Sequence, residues 1–212
     1  MKWIHFLINC NITYYIYKLN QEDTIIMDSC LPKINKMIII LYGSILCVKI
    51  FSNQEVLPIA ILNNQNLFKI EELKSYNKFY YQLKALEKTY IITFNSENIY
   101  KKKIKKYLLT NILCSYENTL KQYEIMSEII SQKYIKKRIF QIILLLLLKF
   151  GKINQNRVYL PFKISYKNLA SLTGTNKTTV GKIIKQMNRD KIIHYYKKKR
   201  ICTYNIFNLI LE

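Results

Sequence analysis

The sequence predicts an α+β protein that ends in a winged helix-turn-helix. Three observations support this fold class: short β-branched runs separated by turns, a long stretch of apolar residues spaced as on a helix, and two short helical segments before a basic hairpin. The domain boundaries that follow are 1–100 for a β-rich domain, 101–151 for the helices and 152–212 for the helix-turn-helix domain.

The N-terminal part carries strand-like runs at regular spacing. Residues 36–42, 45–51 and 56–62 are rich in Ile, Leu and Val, and turn-forming residues separate them. A further run covers residues 83–94. Short apolar runs with turns at this spacing are typical of antiparallel sandwiches and barrels, so we expect an antiparallel β-domain.

A long amphipathic helix is predicted next, beginning at Ser96 or Asn98. Its apolar residues recur at steps of three or four, as in a heptad seam. They are Leu109, Leu113, Tyr116, Leu120, Tyr123, Met126, Ile130 and Tyr134. Such a stripe can pair with a second copy of the chain or pack on the chain's own β-domain, and we expect a homodimer. A second helix is predicted over 132–150, with Gly151 as its C-terminal cap.

Residues 164–193 have the pattern of a helix-turn-helix. Gly174 suits the left-handed turn that closes a first helix over 166–172, and Thr175 or Asn176 can cap a second helix. In proteins with this motif the second helix enters the major groove of DNA. The alternative is an ordinary amphipathic hairpin with a solvated basic face.

The second of these helices has two chemically distinct faces. Steps of about 100° per residue place an apolar group on one side, formed by Val180, Ile183, Ile184 and Met187. The other side collects Lys177, Thr178, Gly181, Lys182 and Lys185. We expect the apolar face to dock on a core, as Leu169, Ala170 and Leu172 of the first helix do. Gly181 is expected to allow close approach to a large surface.

A basic hairpin after the second helix is predicted to form a wing. Aromatic and β-branched residues at 194–196 and 201–205 flank four basic residues at 197–200, which are well placed for phosphates. Upstream, residues 152–156 are expected to form a linker and residues 157–161 a short strand.

The charge of the chain favours a nucleic-acid partner. It has 34 Lys and Arg residues against 13 Asp and Glu, a formal net charge of +21, and over half of this excess lies in 152–212. Such a surface releases counterions when it binds DNA. An AT-rich genome also raises the Lys content, so the local clustering carries more weight than the total. Basic charge and 18 tyrosines leave a second hypothesis, a non-sensing architectural or RNA-binding protein.

Several other classes are disfavoured. Five widely spaced cysteines and two histidines show no metal-ligand spacing and indicate a reduced compartment. The longest apolar run, 139–148, is too short to span a bilayer, and we expect no signal peptide, metal or membrane partner. The chain has no Gly-rich phosphate loop, no GxSxG and no paired-carboxylate pattern, so we do not expect an enzyme.

The order of β-domain, long helix and winged helix-turn-helix resembles the cyclic-AMP-receptor/FNR superfamily of transcription regulators. The resemblance spans 37–208 and is most specific at LASLTGTNKTTVGKIIKQMNRDKII, which has the family's Leu-Ala, Gly and Thr-Val positions. Within it, the stretches 78–81, 137–151 and 197–199 are similar to the nitrogen-control branch of cyanobacteria and red-algal plastids. The resemblance implies a cyclic-nucleotide-binding-like β-roll, a homodimer on palindromic double-stranded DNA, contact with RNA polymerase and a place in the plastid stroma.

The resemblance also implies which residues contact DNA. Lys177 and Lys182 match basic positions of the family's reading helix, where Arg is common, and Thr178 matches a variable position. A Lys cannot form the bidentate fork that Arg makes with guanine, so we expect a related but altered operator. The candidate DNA-binding residues are Ser165, Asn176, Lys177, Thr178, Thr179, Lys182, Lys185 and Lys198.

The sensing site departs from the family pattern. Cyclic-nucleotide binders hold the phosphate with an Arg-Ser or Arg-Thr pair, whereas the matching stretch here begins at Lys78, so we expect no cyclic-AMP binding. The nitrogen-control branch senses 2-oxoglutarate through an Arg and a Glu. Glu124 matches that Glu, but Thr119 stands at the Arg position. Phe68, Lys78 and Glu124 are the candidate effector residues, and we expect no cofactor and a weak or absent response to 2-oxoglutarate.

Overall fold

The structure is a computed structural model, and it describes residues 2–28, 36–64, 66–69, 79–95, 97, 106–154, 157–195 and 200–204. Helices and antiparallel strands both occur in this part of the chain, which confirms the predicted α+β class. Its helices are α1 (Lys2–Asn9), α2 (Lys106–Ser131), α3 (Ile135–Phe150), α4 (Tyr166–Thr173) and α5 (Lys177–Arg189). Among these described helices, none has the length and apolar content needed to cross a membrane.

The chain forms two compact units, Met1–Met126 and Ser127–Glu212. Helix α2 crosses the boundary between them, so the predicted division at 1–100, 101–151 and 152–212 stays a prediction.

Two four-stranded antiparallel sheets form the N-terminal unit. Their strand orders are β1-β8-β3-β6 and β2-β7-β4-β5. The strands are β1 (Tyr14–Leu19), β2 (Thr24–Asp28), β3 (Lys36–Tyr42), β4 (Ile45–Phe51), β5 (Val56–Leu62), β6 (Leu67–Lys69), β7 (Phe79–Ala85) and β8 (Thr89–Asn95). The predicted strands at 36–42, 45–51 and 56–62 are confirmed, and the predicted run at 83–94 is divided between β7 and β8.

The first of these sheets is a middle layer with apolar residues on both faces. Ile38 and Ile40 of β3 belong to a buried cluster that includes residues of the second sheet, such as Leu83. Met37 and Ile39 point the other way and belong to a cluster with residues of α1 and α2. A strand covered on both sides needs a nearly continuous apolar run, which is why β3 does not alternate.

Helix α1 was not foreseen from the sequence, where its residues formed only a short apolar patch. Phe6 and Leu7 of this helix are fully buried in the cluster with Met37 and Ile39. The helix therefore supplies part of the cover for the middle sheet, a role that depends on the tertiary structure rather than on local periodicity.

Helix α2 divides its apolar residues between two stripes. In the N-terminal unit it buries Ile112, Ser115, Thr119 and Met126, whereas Leu109, Leu113 and Leu120 are exposed. The predicted single seam is therefore wrong. One face of the helix packs on the chain's own β-sheet, and the exposed leucines lie on a different face. The helix ends at Ser131, so Tyr134 is not part of it, and the predicted start at Ser96 or Asn98 lies outside the described residues.

The buried stripe of α2 contains a polar connection to β6. The Thr119 hydroxyl oxygen accepts a hydrogen bond from the Leu67 N–H at 3.0 Å. The same oxygen lies 2.9 Å from the Leu67 carbonyl oxygen and 2.8 Å from the Ser115 carbonyl oxygen, which share its proton. Thr119 is thus a structural residue that fastens the helix to the middle sheet.

The C-terminal unit contains a four-stranded sheet of its own, in the order β11-β12-β10-β9. Its strands are β9 (Lys152–Asn154), β10 (Arg157–Tyr159), β11 (His194–Tyr195) and β12 (Ile201–Thr203). The short strand predicted after residue 157 is confirmed, but the predicted linker at 152–156 is wrong because 152–154 pairs with β10. Strand β9 is exposed along its length at a sheet edge, so it has no apolar alternation to reveal it.

Helix α3 begins at Ile135, three residues later than predicted. It ends before Gly151, as expected, and the Gly151 N–H donates to the Leu147 carbonyl at 2.8 Å. The backbone of Gly151 is extended rather than left-handed, so this residue closes the helix without using its conformational freedom.

Gly181 on α5 lies beside Tyr166 of α4. A Cβ placed on this residue would lie 3.5 Å from two ring carbons of Tyr166, an ordinary van der Waals separation. The close approach of a large surface to Gly181 stays a prediction.

We expect Thr119→Val to lower the free energy of unfolding of the N-terminal unit by about 1–3 kcal/mol. The substitution keeps the shape of the side chain but leaves the buried Leu67 N–H without its acceptor. Chemical denaturation followed by circular dichroism measures the change. Thr119→Ser keeps the hydroxyl and should lose less stability, and equal losses for both variants would contradict the assignment.

We expect Gly181→Ala to raise the free energy of unfolding of the C-terminal unit by up to about 1 kcal/mol. Alanine has the higher helix propensity, and its methyl group meets Tyr166 at contact distance. Thermal unfolding measures the gain. A loss of DNA affinity without a loss of stability would instead show that a bound duplex needs the space beside Gly181.

Candidate nucleic-acid interface

Helix α4 is the supporting helix of the motif. Leu169, Ala170 and Leu172 are buried, as predicted. Ser165 caps the helix, because its hydroxyl oxygen accepts from the Asn168 N–H at 3.1 Å. Gly174 follows with φ 60° and ψ 41°, the left-handed conformation predicted for the turn.

Helix α5 begins at a side-chain cap. The Asn176 carboxamide oxygen accepts from the Thr179 N–H at 2.8 Å, which satisfies one of the free N–H groups at the start of the helix. Thr179 is half-buried, whereas Asn176 is exposed. The cap fixes the direction in which the helix leaves the turn.

The two faces of α5 separate as the sequence predicts. Val180, Ile184 and Met187 are buried, and Ile183 is half-buried. Lys177, Thr178, Lys182 and Lys185 are exposed on the opposite side. The helix contains no acidic residue. An exposed, positively charged face on a helix with a buried apolar side is suited to binding a polyanion.

One cation on this face was missed by the sequence reasoning. Arg189 is exposed in the last turn of α5. In projection it lies about 20° from Lys182, since seven residues bring a helix back to nearly the same direction. The same periodicity that identified Lys182 would have found it, had the helix been followed to its end.

Hydrogen bonds join the described residues of the wing to the helix-turn-helix. The Thr203 hydroxyl donates to the Ile192 carbonyl at 3.0 Å, and the Tyr195 N–H donates to the Asn188 side-chain oxygen at 3.2 Å. The Tyr195 hydroxyl donates to the Ile164 carbonyl at 2.9 Å. Burial, with a smaller contribution from Tyr166, raises the pKa of Tyr195 to about 12, so its proton is retained near neutral pH.

The strands of the wing pair as an antiparallel hairpin, with His194 opposite Cys202 and Tyr195 opposite Ile201. Candidate Lys198 lies outside the described residues. The structure therefore collects the other candidates, from Ser165 to Lys185, on α4, the turn and α5, and their contacts with DNA stay a prediction.

Two of the candidate effector residues, Phe68 and Glu124, lie within the described part of the chain. Phe68 is buried in the cluster between the two sheets, where its ring meets Tyr81 edge-on at 5.6 Å. Glu124 is exposed on α2, and Lys78 lies outside the described residues. Burial raises the pKa values of the Cys47 thiol and the Tyr123 phenol, so these two groups stay neutral near neutral pH.

The buried polar side chains of the described N-terminal unit are uncharged. Its buried polar side chains are Ser44, Asn66, Thr89, Ser115 and Thr119, and none of the described Lys or Arg residues is buried. No group of described His, Cys, Asp or Glu residues is arranged to hold a metal ion.

Comparison with known proteins finds regulators among the sequence relatives of this chain. No protein-family model matches the chain. The chain is 29% identical over 211 residues to the putative HTH-type transcriptional regulator ycf28 of Porphyra purpurea, covering 94% of this chain and 82% of that protein. It is 21% identical over 174 residues to the global nitrogen regulator of Synechococcus elongatus, covering 80% and 78%.

The fold agrees with these sequence relatives. A transcriptional regulator of the CRP/FNR family from Thermus thermophilus superposes with a TM-score of 0.71 at 16% identity, covering 92% of this chain and 96% of that one. The sequence relatives and the shared fold confirm the resemblance drawn from the motif residues. The chain is therefore similar in sequence to transcription regulators, and it shares the fold of a transcriptional regulator of the CRP/FNR family.

Proposed function

We propose that this regulator binds a palindromic operator as a homodimer and activates nitrogen-responsive genes in the plastid stroma through contact with RNA polymerase. The observation that carries the proposal is the exposed basic face of α5, with Lys177, Thr178 and Lys182 opposite the buried side of the helix. A helix held by its apolar side can present these residues to base edges in the major groove.

The exposed stripe of α2 supports the homodimer. Leu113 and Leu120 are 66% and 61% exposed, and Leu109 is 40% exposed one turn earlier. Leu113 and Leu120 are one heptad apart, so they face the same direction. Leucines aligned along an exposed helix gain free energy when a second copy covers them. A twofold dimer would present two copies of α5, which matches a palindromic site.

A relative supports the nitrogen-responsive targets, and the plastid location rests on the resemblance drawn from the sequence. One relative is a global nitrogen regulator, and another is a regulator from Porphyra purpurea that is similar over nearly the whole chain. The high content of Lys, Ile, Asn and Tyr fits an AT-rich genome.

The proposed regulator responds weakly or not at all to 2-oxoglutarate. Thr119 occupies the position that the family resemblance assigns to an Arg partner of this ligand, and its hydroxyl is engaged with Leu67 and Ser115. A dicarboxylate without a guanidinium partner loses its main charge-assisted hydrogen bonds.

The first test is DNA binding by fluorescence anisotropy at near-physiological salt. The probes are a palindrome with half-sites about 10 base pairs apart and a scrambled duplex of the same length. We expect the wild type to prefer the palindrome with one dimer per duplex. Equal, steeply salt-dependent binding to both would favour the alternative, a basic architectural or RNA-binding protein.

Replacing Lys177 and Lys182 together by Ala should lower affinity for the palindrome by about tenfold or more, because both cations lie on the reading face. The dimer should remain intact. Lys88→Ala with Lys121→Ala removes the same charge from exposed positions of the N-terminal unit and should leave the preference for the palindrome unchanged. Operator affinity that survives the α5 substitutions would overturn the assignment of the reading helix.

Leu113→Glu should convert the dimer to a monomer in sedimentation velocity, since a charge would be buried at the centre of the paired helices. Leu148→Glu is the matched control, because Leu148 is also 66% exposed but lies on α3. Dissociation in both variants, or in neither, would argue against pairing through α2.

Addition of 2-oxoglutarate should change operator affinity by much less than tenfold, compared with chloride at equal ionic strength. The measurement is the same anisotropy titration with and without the dicarboxylate. A tightening of tenfold, about 1.4 kcal/mol, would show that another cation of the chain replaces the missing Arg.

A further inference from the structure

Arg138 connects two segments that are distant in sequence. It lies in the first turn of α3, and its Nε donates to the Gln132 carbonyl oxygen at 2.7 Å. Its Nη1 donates to the Thr173 carbonyl oxygen at 3.4 Å. All three residues belong to the C-terminal unit, and neither contact involves the exposed face of α5.

Both acceptors stand at the ends of helices. Gln132 directly follows α2, and Thr173 is the last residue of α4. Carbonyl groups at a helix C-terminus lack intrahelical partners and carry partial negative charge. A guanidinium is always charged and directs several N–H groups in one plane, so a single Arg can satisfy two helix ends at once.

Gly174, the residue after Thr173, lies near the same guanidinium. A Cβ placed on Gly174 would lie 3.8 Å from Arg138 Nη1 and 4.0 Å from Ile130 Cδ1. The last turn of α2 and the first turn of α3 therefore both lie close to the position where the turn starts. That turn ends at Asn176, the cap from which α5 begins.

We infer that Arg138 is a positioning residue for DNA reading, which fixes the orientation of α5 relative to the last turn of α2. The inference rests on the proposed function, in which a dimer paired through α2 reads two half-sites with its two copies of α5. Arg138 holds the helix-turn-helix by its backbone at Thr173, and the apolar face of α5 transmits that position to Lys177 and Lys182.

A positioning residue and a phosphate-contacting residue differ in how their removal changes DNA affinity and its salt dependence. A cation that contacts phosphate contributes to binding of any duplex, and its removal lowers the salt dependence by about one counterion. A positioning residue leaves the number of phosphate contacts unchanged and affects only the duplex whose bases must be matched.

The experiment compares Arg138→Gln and Arg138→Lys with Lys137→Gln in the full-length protein. Lys137 is the exposed neighbour on α3, so its substitution removes the same charge without either backbone contact. Hydrogen exchange is measured at 132–134 and at 174–176, and anisotropy is measured on the palindrome and the scrambled duplex at several salt concentrations. Arg138→Lys keeps the charge and serves alone if the Gln variant does not fold.

We expect Arg138→Gln to speed exchange in both segments and to reduce the ratio of palindrome to scrambled affinity by about tenfold, the factor for one charge-assisted hydrogen bond. The salt slope should stay unchanged. Arg138→Lys should fall between the wild type and the Gln variant, and Lys137→Gln should behave as the wild type.

Three results would overturn the inference: faster exchange in one segment alone, an unchanged affinity ratio despite faster exchange in both, or equal losses on both duplexes with a lower salt slope. If the wild type itself shows no preference for the palindrome, the proposed function fails. Hydrogen exchange then still decides whether Arg138 couples the two segments.

Discussion

The apolar side chains on both faces of β3 must be covered from two sides, and this requirement organises the N-terminal unit. The second sheet covers Ile38 and Ile40, and helices α1 and α2 cover Met37 and Ile39. Because one side of α2 is committed to this cover, only its other side remains for the exposed leucines. The dimer surface of the proposed function is thus the side of α2 that does not pack on the middle sheet.

The C-terminal unit holds a basic helix by its apolar side and leaves the charged side chains of that helix in solvent. The apolar residues Val180, Ile184 and Met187 anchor α5, and Asn176 fixes where it begins. A helix backbone that is fixed before binding loses little conformational freedom in a complex, which favours affinity. In the N-terminal unit, by contrast, the Thr119 hydroxyl of α2 is hydrogen-bonded within the protein, to Leu67 and Ser115.

The parts of the fold that the sequence predicts are those whose signal is local. Strands β3, β4 and β5 follow from short β-branched runs, and the two faces of α5 follow from helical periodicity. The missed elements depend on distant partners. Helix α1 exists because the middle sheet needs cover, and β9 is a polar edge strand that only its pairing with β10 defines.

The candidate site shows the same division between local and distant signals. Capping by Asn176 and the exposure of Lys177 and Lys182 follow from spacing along the chain, whereas capping by Ser165 was not predicted. The packing of Tyr166 beside Gly181 does not, because it joins residues on separate helices. The periodicity of α2 correctly indicates an amphipathic helix, yet it cannot say which of two apolar stripes meets the chain's own sheet and which meets solvent.

The hydrogen bonds between the wing and the helix-turn-helix have a mechanical consequence. Tyr195 is hydrogen-bonded to both Asn188 and Ile164, and Thr203 is hydrogen-bonded to Ile192, so the wing strands are connected to α5 and to the segments that flank the two helices. In the proposed complex with DNA, these bonds help to fix the separation between α5 in the major groove and the hairpin beside it. A duplex must adjust its groove width to that separation, and the energy of this deformation depends on base sequence. Base pairs that no side chain touches can in this way influence which DNA is bound.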